Sequence, residues 1–111
     1  MSNTIQFEDF TAVDIRVGTI IEINDFPEAR NPAYQLIIDF GDLGLKKTSA
    51  QIATFYTKEK LLNKQIIAVV NFPKKQIAKF MSECLVLGAV NGKDVILLNP
   101  ETPVKNGSTV N

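Results

Sequence analysis

The side chains with chemistry to offer concentrate in one stretch. Between the apolar runs Ile66–Val70 and Cys84–Leu87, Lys74, Lys75 and Lys79 are interleaved with Phe72, Phe80 and Met81, and the polar pair Ser82 and Glu83 ends the segment. Lysines neutralise phosphates, and flat or apolar side chains give unpaired bases a surface to stack on. Cations interleaved with such groups are therefore the chemistry of a nucleic-acid groove. A solvated basic loop with its aromatics turned into the core is the structural alternative for the same composition.

The formal net charge of the 111 residues is zero, but the charge is segregated. From Leu43 to Ser82 there are eight lysines against one acid, Glu59, a net +7 that the flanking residues balance with −7. Such a distribution gives a neutral molecule a local positive field, steeply dependent on salt. Lys58, Lys60 and Lys64 weaken the case, because they also suit the outer face and carboxyl end of a short helix.

Other chemistry is missing. There is no histidine, which removes the commonest general base, the usual zinc ligand and the Ser-His-Asp arrangement together. The single cysteine, Cys84, lies in a strand-like run and reads as a buried, inert thiol. The glycines follow neither phosphate-binding spacing. The carboxylate pairs Glu8/Asp9 and Asp39/Asp42 read as surface and turn residues rather than an acid and a base. A binding module is favoured over an enzyme, with no metal and no cofactor.

These residues need a small frame to position them. The length fits one domain over residues 1–111. No apolar run approaches the roughly 20 residues of a membrane span. The amino terminus lacks the pattern of a secretory signal, so the expected compartment is the cytoplasm. Ile5, Phe7 and Phe10 fit one helical turn begun by Asn3 or Thr4. From Val13 to Ile23 the odd positions Val13, Ile15, Val17, Ile21 and Ile23 are apolar and the even side is polar, with Ile20 the exception, which predicts a long strand with one wet face. Gly18 in its middle lets that strand coil and serve two parts of one barrel.

Asp25–Ala33, with Pro27 and Pro32, reads as a loop; Tyr34–Phe40 as a second strand with Gln35 and Ile37 opposite the apolar face; and Gly41–Gly44 as a turn. Leu45–Gln51 reads as a third strand whose polar face is used, and Ile52–Leu62 as the helix, with Thr57 capping its second turn and Asn63 ending it. Ile66–Phe72 and Glu83–Val90 complete five strands. Asn91-Gly92 predicts a hairpin returning over Asp94–Leu98. The pattern predicts an all-β protein with one short helix, a closed five-stranded Greek-key barrel of the OB kind, extended by residues 1–12 and 99–111. Another small β-barrel or an open α+β sheet is the alternative.

Four separated motifs carry a resemblance that spans nearly the whole chain. Val13-Asp14-Ile15-Arg16-Val17-Gly18, Phe26-Pro27-Glu28-Ala29-Arg30 with Pro32-Ala33-Tyr34, Thr48-Ser49-Ala50-Gln51-Ile52, and Val69-Val70-Asn71-Phe72-Pro73 with Ser82-Glu83 resemble the tRNA-binding-domain family, in particular its CsaA branch of export-related chaperones. The resemblance implies an OB-fold, a homodimer joined through the terminal extensions, and tRNA binding by shape rather than sequence. For this branch it also implies binding of unfolded or presecretory polypeptide and a link to the export machinery.

Carried over by position, the RNA groove takes Lys47, Ser49, Ala50 and Gln51 from the third strand, with Arg16 contributing from the first. The stretch after the fourth strand supplies Asn71, Phe72, Lys74, Lys75, Lys79, Ser82 and Glu83. Phe72, Phe80 and Met81 are the candidates for polypeptide. Two departures from similar members are Lys74, where a second proline is common, and the lack of a glycine near Ala78. Ser49 and Asn71 read equally well as structural hydrogen-bonders at strand ends. The expected function is non-catalytic tRNA binding with an export-chaperone role; the alternative is a polypeptide-binding chaperone with vestigial RNA binding.

Overall fold

A computed structural model describes residues 3–111, so the first two residues of the 1–12 extension lie outside it. In chain order the elements are α1 (Phe7–Thr11), β1 (Ile15–Asp25), β2 (Tyr34–Asp39), a 3-10 turn (Gly41–Leu43), β3 (Leu45–Ala50), α2 (Lys58–Leu61), β4 (Gln65–Val69), β5 (Lys75–Ile77), β6 (Phe80–Ser82), β7 (Leu85–Val86), β8 (Gly88–Asn91) and β9 (Asp94–Leu97).

The frame is an antiparallel sheet in the order β3-β2-β1-β4-β7. It curls until β3 meets the chain entering β7. There Glu83 N–H donates to the Lys47 carbonyl at 2.8 Å, and the Glu83 carboxylate accepts the Lys47 N–H at 2.9 Å. Thr48, a buried polar residue inside this seam, donates from Oγ1 to the Cys84 carbonyl at 2.7 Å. The result is the nearly closed barrel expected of an OB-fold, filled by Ile20, Leu36, Ile38, Phe40, Leu61 and Ile66.

β1 serves two partners, as Gly18 at its middle predicts: Ile15–Thr19 pair with β4, and Thr19–Asp25 with β2. A Cβ on Gly18 would lie 2.6 Å from Ile38 Cγ2 and 2.7 Å from Phe40 Cδ1, so the bare backbone is what lets the fully buried Phe40 ring pack. The simple odd-numbered alternation fails in this strand. The register shifts between Ile20 and Glu22, the mark of a bulge, which sends Ile20 into the core and leaves Ile21 exposed. Ile23 is thereby brought back against the core.

The helix forms only over Lys58–Leu61, not from Ile52. Thr57 is extended at its start and makes no side-chain cap. Tertiary bonds hold the preceding segment instead: Tyr34 Oη donates to the Tyr56 carbonyl at 2.9 Å, and Leu97 N–H donates to Tyr56 Oη at 3.0 Å. Asn63 does take the left-handed turn that follows α2, with φ 67°.

The basic segment after Pro73 is a β-hairpin rather than a loop, with Lys75 opposite Ser82 and Ile77 opposite Phe80. The expected fifth strand is split into β7 and β8, and Asn91 pairs with Asp94, which moves the turn by one residue to Gly92-Lys93. α1 starts at Phe7, later than Asn3 or Thr4, and the Asp9 carboxylate accepts the Gln6 N–H at 2.9 Å.

The carboxyl-terminal extension docks on its own barrel. It takes the edge of β1 that β4 leaves free, through Gly107 N–H to the Val17 carbonyl at 2.7 Å and Val17 N–H to the Ser108 carbonyl at 2.9 Å. The Gln65 side-chain amide braces Val104 from both sides, donating to its carbonyl at 2.6 Å and accepting its N–H at 3.0 Å.

Candidate nucleic-acid interface

Side chains alternate across a strand, so the register of β2 against β3 decides what faces outward. Leu36, Ile38 and Thr48 point into the barrel and are buried. Their neighbours Gln35 and Ile37, opposite Ser49 and Lys47, form the outer face. Two segments wall this face. One is the 26–33 segment, anchored by buried Phe26; the other is the β5–β6 arm. The walls meet where Phe26 and Phe80 pack with ring centroids 5.4 Å apart, and Lys47 Nζ lies 5.2 Å from the Phe80 centroid. A cavity of about 510 Å³ lies between loop and arm, lined by Phe26, Glu28, Gln35, Ala78, Lys79 and Phe80. A separate one of about 310 Å³ at the root of the arm is lined by Ser49, Phe72, Pro73, Lys75, Ile77, Ser82, Cys84 and Leu85.

The arrangement places cations and aromatic rings around the sheet face and loops that OB barrels use for oligonucleotides. Lys47, Ser49, Phe72, Lys75, Lys79 and Ser82 border the face or one of its cavities. Lys74 is in an ion pair with Glu83 at 3.5 Å. The Glu83 carboxyl is held below its usual range, chiefly by the Lys47 backbone N–H, with the Lys74 and Lys47 charges adding and burial opposing. Its first job is thus to fasten the arm to β3.

Several other candidates are engaged within the fold. Asn71 Oδ1 accepts the Asp14 N–H at 2.9 Å, and its Nδ2 donates to the Ala12 carbonyl at 2.8 Å, tying the end of β4 to the start of β1. Arg16 is held by Asp14 at 2.6 Å and by the Gly107 carbonyl at 3.0 Å, and it lines neither cavity. Ala50 packs on the core, and Gln51 is exposed just beyond β3. Of the three polypeptide candidates only Phe72 stands well out, 52% exposed, while Phe80 and Met81 are half-buried.

Sequence reasoning about the site omitted Gln35, Ile37, Phe26 and Glu28. The signal was present, since the alternation in β2 already set Gln35 and Ile37 opposite the core. Burial pushes the Cys84 thiol up to about 11, which leaves it protonated and unreactive at neutral pH. Among the described residues no group of three or more His, Cys, Asp or Glu could hold a metal ion.

A nearly closed barrel with a walled, lysine-bearing outer face defines an OB-type nucleic-acid-binding domain. Residues 15–109 match the family model described as a putative tRNA binding domain, and the chain belongs to that family. Among solved structures it is similar to the chaperone CsaA from Bacillus anthracis, at 49% identity and TM-score 0.94, covering 98% of this chain and 100% of that one. The CsaA chaperone protein from Picrophilus torridus is 54% identical, with TM-score 0.92, covering 97% of this chain and 100% of that one. The methionine–tRNA ligase of Pyrococcus horikoshii is 38% identical over 106 residues, which are 96% of this chain but only 14% of the ligase. The shared part is a binding domain and not a catalytic one. No helix among the described residues is long and apolar enough to cross a membrane.

Proposed function

We propose that the chain is a cytoplasmic tRNA-binding protein of the CsaA kind, a homodimer that holds tRNA by shape and backbone and assists protein export as a chaperone. The observation that carries this reading is the outer face of β2 and β3, where Lys47 and Ser49 stand between two walls and Lys75 and Lys79 rise on the arm. Lysines so placed suit phosphates, while the cavities beside them suit unstacked bases. Membership in a tRNA-binding-domain family supports tRNA as the partner.

Self-association finds support in α1 and the residues before it, where Phe7 and Phe10 on the helix and Ile5 ahead of it are 74%, 37% and 64% exposed. A five-residue helix has little stability of its own, and an apolar cluster on it is a surface for a second copy. The test of the central reading is binding of labelled bulk tRNA across a salt series. Tight, salt-steep binding supports it, and no binding at low salt defeats it.

A second reading, capture of unfolded or presecretory polypeptide and contact with the export machinery, is favoured by exposed Phe72 and Leu85 and by the likeness to the two CsaA chaperones. A reduced, unfolded client should then bind with weak salt dependence. If salt abolishes that binding as it does for RNA, the capture is merely electrostatic.

A further inference from the structure

We infer that the cavity at the root of the β5–β6 arm is a pocket for a single unpaired nucleobase of the bound RNA, with Phe72 as its stacking wall and Lys75 as the contact for the adjoining phosphate. The inference rests on the tRNA-binding reading and makes it more specific.

The cavity, about 310 Å³, is walled by Phe72, Ile77 and Leu85 and carries one cation, Lys75. Phe72 and Leu85 are about half exposed, so the walls are open to a ligand from solvent. One flat aromatic wall, aliphatic side chains beside it and a lysine at the rim match a nucleotide, whose base is aromatic and whose phosphate is anionic.

The hydroxyls at its inner side narrow the chemistry. Thr48 Oγ1 uses its proton on the Cys84 carbonyl at 2.7 Å, so in its 2.7 Å contact with Ser82 Oγ it is the acceptor and Ser82 the donor. Ser82 Oγ also lies 3.4 Å from the Cys84 carbonyl, and its lone pairs meet only the long 3.4 Å approach of the Ser49 N–H. The pocket therefore offers an acceptor for an N–H on a base edge. An apolar side chain would make no use of that acceptor or of the Lys75 charge at the rim. The observations thus favour a base over a hydrophobic residue.

The test compares a short oligoriboadenylate with an abasic ribose-phosphate oligomer of the same length, using binding isotherms and methyl NMR of Ile77 and Leu85. The oligoriboadenylate should bind more tightly and shift both methyls upfield through its ring current, and the abasic oligomer should do neither. Phe72→Ala should reduce oligoriboadenylate affinity roughly 5- to 150-fold, the range of one lost base–aromatic stack, with the salt slope unchanged. Phe72→Tyr should restore it. Equal binding of the two oligomers, both salt-steep, would overturn the base pocket and leave the tRNA-binding reading intact. No binding of either oligomer at low salt would overturn the base pocket, and only the loss of bulk tRNA binding as well would overturn the tRNA-binding reading. Methyl shifts produced by an unfolded polypeptide and not by the oligoriboadenylate would assign the cavity to apolar side chains and overturn the inference.

Discussion

Lys47 has separate duties for separate atoms. Its backbone N–H and carbonyl close the barrel against Glu83, while its ammonium lies over the Phe80 ring on the outer face. Lys47→Ala should therefore remove a phosphate contact and leave the seam closed. Filter binding across a salt series should show weaker affinity for many tRNA sequences alike, with a salt slope lowered by about one unit, and Lys75→Ala should do the same. Unchanged affinity and slope would contradict the assignment.

Glu83 belongs to the same seam but predicts stability instead. Its folded pKa is lowered, so its contribution is present above the unfolded carboxylate range and is lost as pH falls through the depressed folded value. Acid melts should show the wild type losing stability there more steeply than Glu83→Gln. Glu83→Ala at neutral pH should cost roughly 1–2 kcal/mol, because the Lys47 N–H loses a charged acceptor near the surface. An Ala variant as stable as wild type would mean the seam is held by β3 and β7 alone.

At the scale of elements, β1 and the arm carry the prediction. A Cβ at Gly18 would sit under 3 Å from Ile38 and Phe40, both fully buried, and neither ring nor branched side chain can yield cheaply. Gly18→Ala should destabilise by about 1–3 kcal/mol in denaturant melts. In the arm, Ala78 occupies the left-handed region at φ 54°, a conformation that costs a residue with a Cβ about 1–2 kcal/mol. Ala78→Gly should slow hydrogen exchange in β5 and β6, and faster exchange there would contradict that account.

The same elements show what was legible. β2 to β4, the two-partner β1 and the hairpin near residue 91 are readable because alternation, Gly18 and Asn91-Gly92 are local signals. The bulge at Ile21 is not, because it is set by where β2 must pair. The arm hides for a related reason: β5 and β6 are only three residues each, and Glu83 and the Phe26–Phe80 contact hold them in place across the fold. The over-long helix prediction failed where Tyr56 is claimed by Tyr34 and Leu97. In the site, residue types identified the lysines. Only the register reveals that Asn71 and Arg16 are fastened to the barrel while Gln35 and Ile37 share the face with Lys47.

At the scale of the molecule, net charge of zero hides a +7 middle, and part of that charge stands on the arm and β3 at the walled face. Attraction of an anionic partner therefore depends on local field and must fade with salt. The terminal extensions differ in what they leave free. The carboxyl-terminal one is bonded to β1, whereas α1 leaves its phenylalanines exposed. If α1 joins two copies, Phe7→Asp should give a monomer by light scattering with the barrel still folded, and an unchanged mass would remove α1 from the interface.

On the proposed function this barrel holds tRNA on the lysine-bearing face of β2, β3 and the arm. The most direct measurement is tRNA affinity against salt for the wild type beside the Lys47→Ala/Lys75→Ala double variant. The wild type should show steep salt dependence and the double variant a slope lower by about two units, at unchanged stability. Equal slopes and affinities for the two proteins would contradict it and move any RNA contact to another face.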